Sequence, residues 1–391
     1  MNTISIPHIL LPANADIGTW AVNACDQFTS DFAYWEEVER KTEGKPSAFH
    51  LILPEIYLKD NAPKRIAAAN SAMEEYLEKG VFKELEEGFI LVERATESGV
   101  RTGIVLAIDL EDYSFEKGAK TPVRSTEATI LERIPPRVEI RKNAPIELPH
   151  VMLLYDDPQN SVLTSVRRGR VLYDAELMMN GGKVKGTFIE NAREVISRFY
   201  SLVADKEDKF LFAVGDGNHS LATAKTCWEN TKKHLKADEI AAHPARYALV
   251  EAVNIYDSAL KFEPIHRLVK TSDPEKFASG LAMEGSGAAE LSVNGNLKKI
   301  PFPCDIPNGI RYLDGYISKY LAENGGDVDY IHGRSELINF TRSGGVGVIL
   351  PPISKGDFFP LISSGGNLPK KTFSMGEGNE KRYYIEAKKI R

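Results

Sequence analysis

Residues 210–229 read Phe210-Leu211-Phe212-Ala213-Val214-Gly215-Asp216-Gly217-Asn218-His219-Ser220-Leu221-Ala222-Thr223-Ala224-Lys225-Thr226-Cys227-Trp228-Glu229. An apolar run without period, closed by glycine, predicts a buried strand, and the alanine-rich stretch after it predicts a helix. Between them the loop carries a carboxylate flanked by glycines, then an amide, an imidazole and a hydroxyl. Gly215 and Gly217 permit a sharp turn and a close ligand approach, while the amides of the first helical turn offer positive potential to an anion. Asp216 is a candidate metal ligand or orienter of an attacking hydroxyl, and His219 a candidate acid, base or phosphate donor. Asn218 and Ser220 are candidate phosphate contacts beside them. The competing reading is a structural turn in which Asp216 caps the helix near residue 219 or 220. The loop is not a P-loop, lacking the required lysine, and not Gly-x-Gly-x-x-Gly, because position 220 is serine. Nor is it a nucleophile elbow, which has its serine between the glycines.

Outward from this stretch, a chain of 391 residues exceeds what one hydrophobic core usually serves, so two domains are expected, 1–270 and 271–391. With 42% hydrophobic and 27% charged residues the composition is that of an ordinary globular protein. Its 49 basic and 55 acidic residues leave a net charge of −6, which argues against nucleic acid and anionic lipid as bulk electrostatic partners. No apolar run approaches the roughly 20 residues of a membrane helix. The N-terminal residues lack a basic leader before a long apolar core, so no signal peptide is expected. Cys25, Cys227 and Cys304 are far apart and odd in number, which fits reduced thiols in a cytoplasm.

Along the chain, Ser30 is expected to cap a helix over 31–43, and 63–79 to form a second helix with proline in its first turn and Gly80 after its end. Residues 49–53 read as a strand. Residues 89–95 and 101–109 read as a hairpin, and 151–155 as a strand. Thr187 with Glu190 reads as a capping box opening a helix to about residue 204. Strands are expected over 246–254, 263–269 and 345–350, with short helices near 274–283 and 310–321. This mixture without strict alternation predicts an α+β, or mixed α/β, fold. Two further spots offer anion donors, His266-Arg267 and Lys370 within Gly365-Gly366-Asn367-Leu368-Pro369-Lys370. No His-x-x-x-His or Cys-x-x-Cys spacing suggests a zinc site, and His50, His150, His234, His243 and His332 carry no pattern.

Together these pieces resemble one family. Gly215-Asp216-Gly217-Asn218-His219-Ser220 resembles the Ala-Asp-Gly-His-His-Arg signature of the SpoOJ/ParB-like family known as domain of unknown function 1015. Phe262-Glu263-Pro264-Ile265-His266-Arg267 is similar to its Leu-Pro-Thr-His-Arg segment. Ser47-Ala48-Phe49 through Pro54-Glu55, Glu127-Ala128-Thr129, and Leu368-Pro369-Lys370-Lys371-Thr372 resemble further segments in the same order. The family is remotely similar to the ParB/sulfiredoxin superfamily, where a comparable strand, glycine-rich loop and helix bind nucleotide phosphates. Free-serine kinases, a DNA-partition switch and sulfiredoxin belong there.

The resemblance implies a ParB/sulfiredoxin-like core with added N- and C-terminal α/β elements, and a nucleotide site at the start of the central helix. Asp216 and His219 carry over by position, with His266 and Arg267 as a second layer or an opposite wall, and Glu127 is a candidate base or metal ligand. This chain departs from the pattern at Asn218, where the family has histidine, and at Ser220, where it has arginine. Exchanging arginine for serine removes a charge-assisted contact worth about 1.5–3 kcal/mol. Asp26 stands where the family has another aspartate, but its neighbours Ala24 and Cys25 differ. The expected function is transfer of phosphate from a nucleotide, ATP or ADP with magnesium, to a small hydroxyl compound in the cytoplasm. The alternative is a nucleotide- or metabolite-binding regulator without turnover, and ParB-like DNA binding ranks third. A small-molecule partner is expected, and a homodimer is allowed for.

Overall fold

A computed structural model describes the chain apart from residues 1, 26, 27, 29, 30, 59, 60 and 128–133. The expectations placed on Asp26, Ser30, Ala128 and Thr129 lie outside the described residues. The chain forms two compact units, Met1–Leu260 with Glu377–Arg391, and Lys261–Gly376. Beside the division expected at 270/271, residues 261–270 lie with the second unit and 377–391 with the first.

In chain order the first unit contains α1 (Phe32–Thr42), α2 (Ala62–Glu78), β1 (Phe89–Thr96), β2 (Gly99–Asp109), β3 (Val123–Ser125), β4 (Met152–Tyr155), β5 (Arg168–Glu176), β6 (Lys183–Ile189), α3 (Ala192–Ser201), β7 (Phe212–Asp216), α4 (Asn218–Lys232) and β8 (Tyr247–Asn254). Among the described residues they build a ten-stranded sheet ordered β5-β6-β1-β2-β8-β4-β7-β3, continued by Tyr113–Ser114, with Ile4–Ser5 pairing beside β2. The sheet is mixed: β8 runs antiparallel to β2 and parallel to β4, and β7 antiparallel to β4 and parallel to β3. The fold is therefore mixed α/β, as the element pattern implies.

Successive side chains of a strand point to opposite faces, and here both faces are buried. Ile90 and Val92 of β1, Val105 of β2 and Leu249 of β8 enter one core with Trp20, Trp35 and Met73. Their neighbours Leu91, Ile104, Leu106 and Val250 enter a second core with Phe199, Phe212, Val214 and Trp228. Helix α4 covers this second core through Leu221, Ala224 and Trp228, a stripe at helical spacing.

The cap of α1 is located, and two local expectations are corrected. Asp31 caps α1, its carboxylate accepting from the Tyr34 amide at 3.0 Å. The run 49–53 is not a strand but a 3₁₀ turn at Ala48–Leu51, because Ser47 Oγ accepts the Phe49 amide and bends the chain. Thr187 opens no helix: it is buried in β6, opposite Leu91 of β1 and Val171 of β5, and α3 begins only after Asn191. Hydroxyl-plus-carboxylate spacing is a local signal, and a sheet with partners on both sides of β6 overrides it.

The second unit has a five-stranded sheet. Its strands are β9 (His266–Lys270), β10 (Gly287–Val293), β11 (Asn296–Phe302), β12 (Asp327–Ile331) and β13 (Val346–Ile349), in the order β11-β10-β13-β9-β12. Helix α5 (Ile306–Asn324) packs Ile310, Leu313 and Ile317 into its core with Phe277 and Phe302. Among the described residues no helix is long and apolar enough to cross a membrane.

Candidate functional site

Strand β7 pairs parallel with β3, Val214 opposite Ser125, so the C-terminal ends of both strands reach the same edge of the sheet. Strand β4 runs the other way, Met152 opposite Asp216, so its entrance at His150 and Val151 reaches that edge too. Helix α4 starts there. Gly217, the residue before it, holds φ +83°, and a Cβ added to it would lie 3.1 Å from Val151 Cα. Both the left-handed backbone and the close approach demand glycine. Gly217→Ala is expected to cost about 1–2 kcal/mol from the backbone alone, with a further cost from displacing Val151. Chemical denaturation measures it, and a variant as stable as the parent would remove this requirement.

Asp216 does not cap α4. Its Oδ1 accepts the adjacent Gly217 amide at 2.9 Å, and the residue at the N-cap, Gly217, has no side chain to cap the helix. The first intrahelical bond is Leu221 N–H to Gly217 C=O at 3.0 Å, so the amides of Asn218, His219 and Ser220 precede the helical ladder. The other oxygen of Asp216 lies 3.5 Å from Lys381 Nζ, whose side chain is only 16% exposed. Burial works to raise the Asp216 pKa, but Lys381, His150 and the Gly217 amide outweigh it and hold the carboxyl below its ordinary value.

Asn218 is turned into the protein. Its Oδ1 accepts from Ser125 Oγ at 2.6 Å and from the Thr126 amide at 3.3 Å, and Thr126 Oγ1 in turn donates to Val214 C=O at 2.6 Å. This network fastens the start of α4 to the end of β3. It also brings Glu127 to the same edge, since the Glu127 carbonyl is 2.7 Å from the same Ser125 hydroxyl. His219 is half-buried on the first turn, its carbonyl accepting from Thr223 Oγ1 at 2.7 Å. Ser220 Oγ lies 3.1 Å from His150 Nε2, and His150 Nδ1 lies 2.8 Å from Tyr384 Oη.

The structure thus gathers Gly215, Asp216, Gly217, Asn218, His219, Ser220 and Glu127 at one edge of the first unit. His266, Arg267 and Lys370 belong to the second unit. There His266 Nδ1 accepts the Leu350 amide at 3.2 Å, and burial, reinforced by Arg267, pushes its pKa down to about 4. Arg267 is fully buried, with Nε and Nη2 on Asp314, Nη1 on the carbonyls of Ile265 and Lys371, and Nη2 also on that of Lys370. These contacts use all five of its N–H groups, so a phosphate contact from Arg267 would have to displace one of them. Lys370 is exposed.

His150, Lys381 and Tyr384 were not legible as site residues. His150 had no motif, and the other two reach the site from the returning segment 377–391, which no local pattern ties to residue 216. Among the described residues no group of three or more His, Cys, Asp or Glu side chains could hold a metal ion. The first unit also has an open cavity of about 690 Å³, bordered by Lys41, Glu97, Glu176, Lys183 and Glu380, which includes none of the candidate residues.

Residues 8–389 match a family described as a protein of unknown function, DUF1015. No curated protein matches. Among solved structures, the chain is similar to free serine kinase in complex with AMP, at 10% identity and a TM-score of 0.41, covering 73% of this chain and 92% of that one. A variant of free serine kinase in complex with ADP gives 10% identity and a TM-score of 0.42 over the same shares of the two chains, 73% and 92%. SbnI with a C-terminal truncation, from Staphylococcus aureus, gives 7% identity and 0.37, covering 70% of this chain and 82% of that one. The wider ParB/sulfiredoxin resemblance is not among these findings.

Proposed function

Because this chain belongs to the DUF1015 family, which is described as being of unknown function, we propose its function from the edge where β7, β3, β4 and residues 377–391 meet: transfer of a phosphoryl group from a nucleotide to a small hydroxyl compound. The observation that carries this reading is the first turn of α4, begun by Gly217, which has no side chain to cap it, with Lys381 held 3.5 Å from Asp216 beside it. Amides at a helix start and a partly buried ammonium are what phosphate oxygens need, and phosphoryl transfer asks mainly for positioning and charge neutralisation. Lys381 offsets the charge that Ser220 does not provide where the family has arginine. Magnesium is commonly bound through one or two carboxylates together with substrate phosphates, and Asp216 suits that role. Glu127 or His219 would accept the proton of the acceptor hydroxyl.

Thermal shifts with ATP and ADP, each with and without magnesium, test the reading. A nucleotide at 100 times its dissociation constant should stabilise the protein by about 2.7 kcal/mol. Lys381→Met should weaken binding about 10- to 100-fold, the worth of one charge-assisted contact, and Asp216→Asn should remove the magnesium dependence. No shift with any nucleotide sinks the proposal. A stable nucleotide complex that phosphorylates no hydroxyl compound would favour a regulator without turnover.

A further inference from the structure

Threonines within α4 follow the usual habit of helical hydroxyls. Thr223 Oγ1 donates to the His219 carbonyl at 2.7 Å and Thr226 Oγ1 to the Ala222 carbonyl at 2.9 Å. Ser220, on the first turn of the same helix, instead meets the ring of a histidine from another element, His150 Nε2 at 3.1 Å. That ring is held from its far side as well, by Tyr384 Oη at 2.8 Å from Nδ1, with the two rings edge to face and their centroids 5.2 Å apart. A hydroxyl, a base bonded to it and a third group orienting the base constitute the arrangement that activates a nucleophile.

The surroundings suit the same chemistry. Ser220 is half-buried, and its contact with His150 is partly buried. The amides at the start of α4 lie on the same turn, where negative charge would develop during attack. His150 is also among the groups that hold the Asp216 carboxyl below its ordinary value, so the ring and the carboxylate interact electrostatically.

We propose that Ser220 is a nucleophile activated by His150 and oriented through Tyr384, and that it carries the transferred phosphoryl group as a covalent intermediate. The identity of that group rests on the phosphoryl-transfer reading above. With Nδ1–H directed at Tyr384 Oη, the Nε2 lone pair of His150 accepts the Ser220 proton. Ser220 Oγ forms a bond to the γ-phosphorus while the bond from that phosphorus to the bridging oxygen breaks, and the nucleoside diphosphate departs. In the second half, the acceptor hydroxyl gives its proton to Glu127 or His219 and its oxygen attacks phosphorus. The Oγ–P bond breaks, His150 returns its proton to Ser220, and the proton on Glu127 or His219 passes to solvent.

Two probes on the full chain test this, each followed by peptide mass mapping. A fluorophosphonate needs no nucleotide site: Ser220 Oγ bonds to phosphorus, fluoride leaves, and His150 takes the proton. Labelling at Ser220 is expected, lost in Ser220→Ala and slowed about 100-fold in His150→Gln, the range of one general base. Unmodified Ser220 in folded wild-type protein, or labelling equally fast in His150→Gln, overturns the proposal. With ATP, phosphoserine at position 220 that is discharged by an acceptor hydroxyl supports it in full. Nucleotide turnover that persists in Ser220→Ala overturns the covalent route while leaving phosphoryl transfer in place. Fluorophosphonate labelling without any nucleotide binding keeps the nucleophile and removes the nucleotide reading.

Discussion

Arg382→Met is expected to lower the stability of the first unit by about 3–5 kcal/mol, the usual consequence of removing one partner from a buried charge group. Arg382 is buried between two buried carboxylates. It pairs with Glu251 through Nη1 and donates to Glu386 at 2.7 Å through Nη2. Its Nε reaches the Pro149 carbonyl at 3.3 Å. Burial alone would lower the pKa of this guanidinium, but Glu386 and Glu251 outweigh it and raise the value. Burial likewise works to raise the Glu251 pKa, but Arg382 and Arg101 hold it down, so Arg382 and Glu251 are charged together. Glu251 lies against Gly103, where an added Cβ would come within 2.4 Å of its Oε1, so the carboxylate occupies space that only glycine leaves. Urea denaturation measures the loss, and combining Arg382→Met with Glu251→Gln and Glu386→Gln should recover much of it. A loss under about 1 kcal/mol in the single variant would mean that the carboxylates find other partners or protonate cheaply.

Trp228→Ala should cost a similar amount, about 3–5 kcal/mol, for a different reason. The indole is fully buried in the core beneath α4, and its Nε1 donates to Glu111 at 2.5 Å. Truncation leaves a cavity that the surrounding strands cannot fill, and the helix that carries the candidate site loses its principal anchor. Trp228→Phe separates the two contributions. It keeps most of the packing and loses only the hydrogen bond, about 0.5–1.5 kcal/mol, because Lys232 still pairs with Glu111 at 2.7 Å. If alanine costs no more than phenylalanine in calorimetric unfolding, the packing argument fails.

The strand, loop and helix at residues 210–229 were legible because each was announced locally, by an apolar run, by glycine and by helical spacing. The hairpin of β1 and β2 was legible for the same reason. Strands β5 and β6 were not anticipated as a pair, since β5 is largely exposed and β6 looked like the start of a helix through Thr187 and Glu190. Within the site, Asp216 and its glycines stood out by composition, and Gly217 indeed occupies a left-handed conformation. Asn218 and Ser220 were recognised as departures from a family pattern, but nothing near them disclosed what they bond. Those partners, Ser125, Thr126 and His150, come from the ends of neighbouring strands and the residues beside them, and sheet order is a long-range property that no window of sequence contains. Arg267 was ambiguous for a related reason, because a lone His-Arg pair reads the same whether its donors face a ligand or, as here, contact carbonyls and an aspartate.

The return of residues 377–391 to the first unit sets a timetable for the protein. On the ribosome, β7 and α4 are synthesised long before Lys381 and Tyr384, and all of Lys261–Gly376 must be translated in between. The entropic toll of closing so long an intervening segment is modest, because it grows only logarithmically with length. The delay, however, cannot be avoided. A nascent chain stalled at residue 380 has Asp216 without its ammonium, His150 without its tyrosine, and Glu251 with Arg101 but without Arg382. The pairing of Lys381 with Asp216, of Tyr384 with His150 and of Arg382 with Glu251 therefore waits until the whole second unit has been translated.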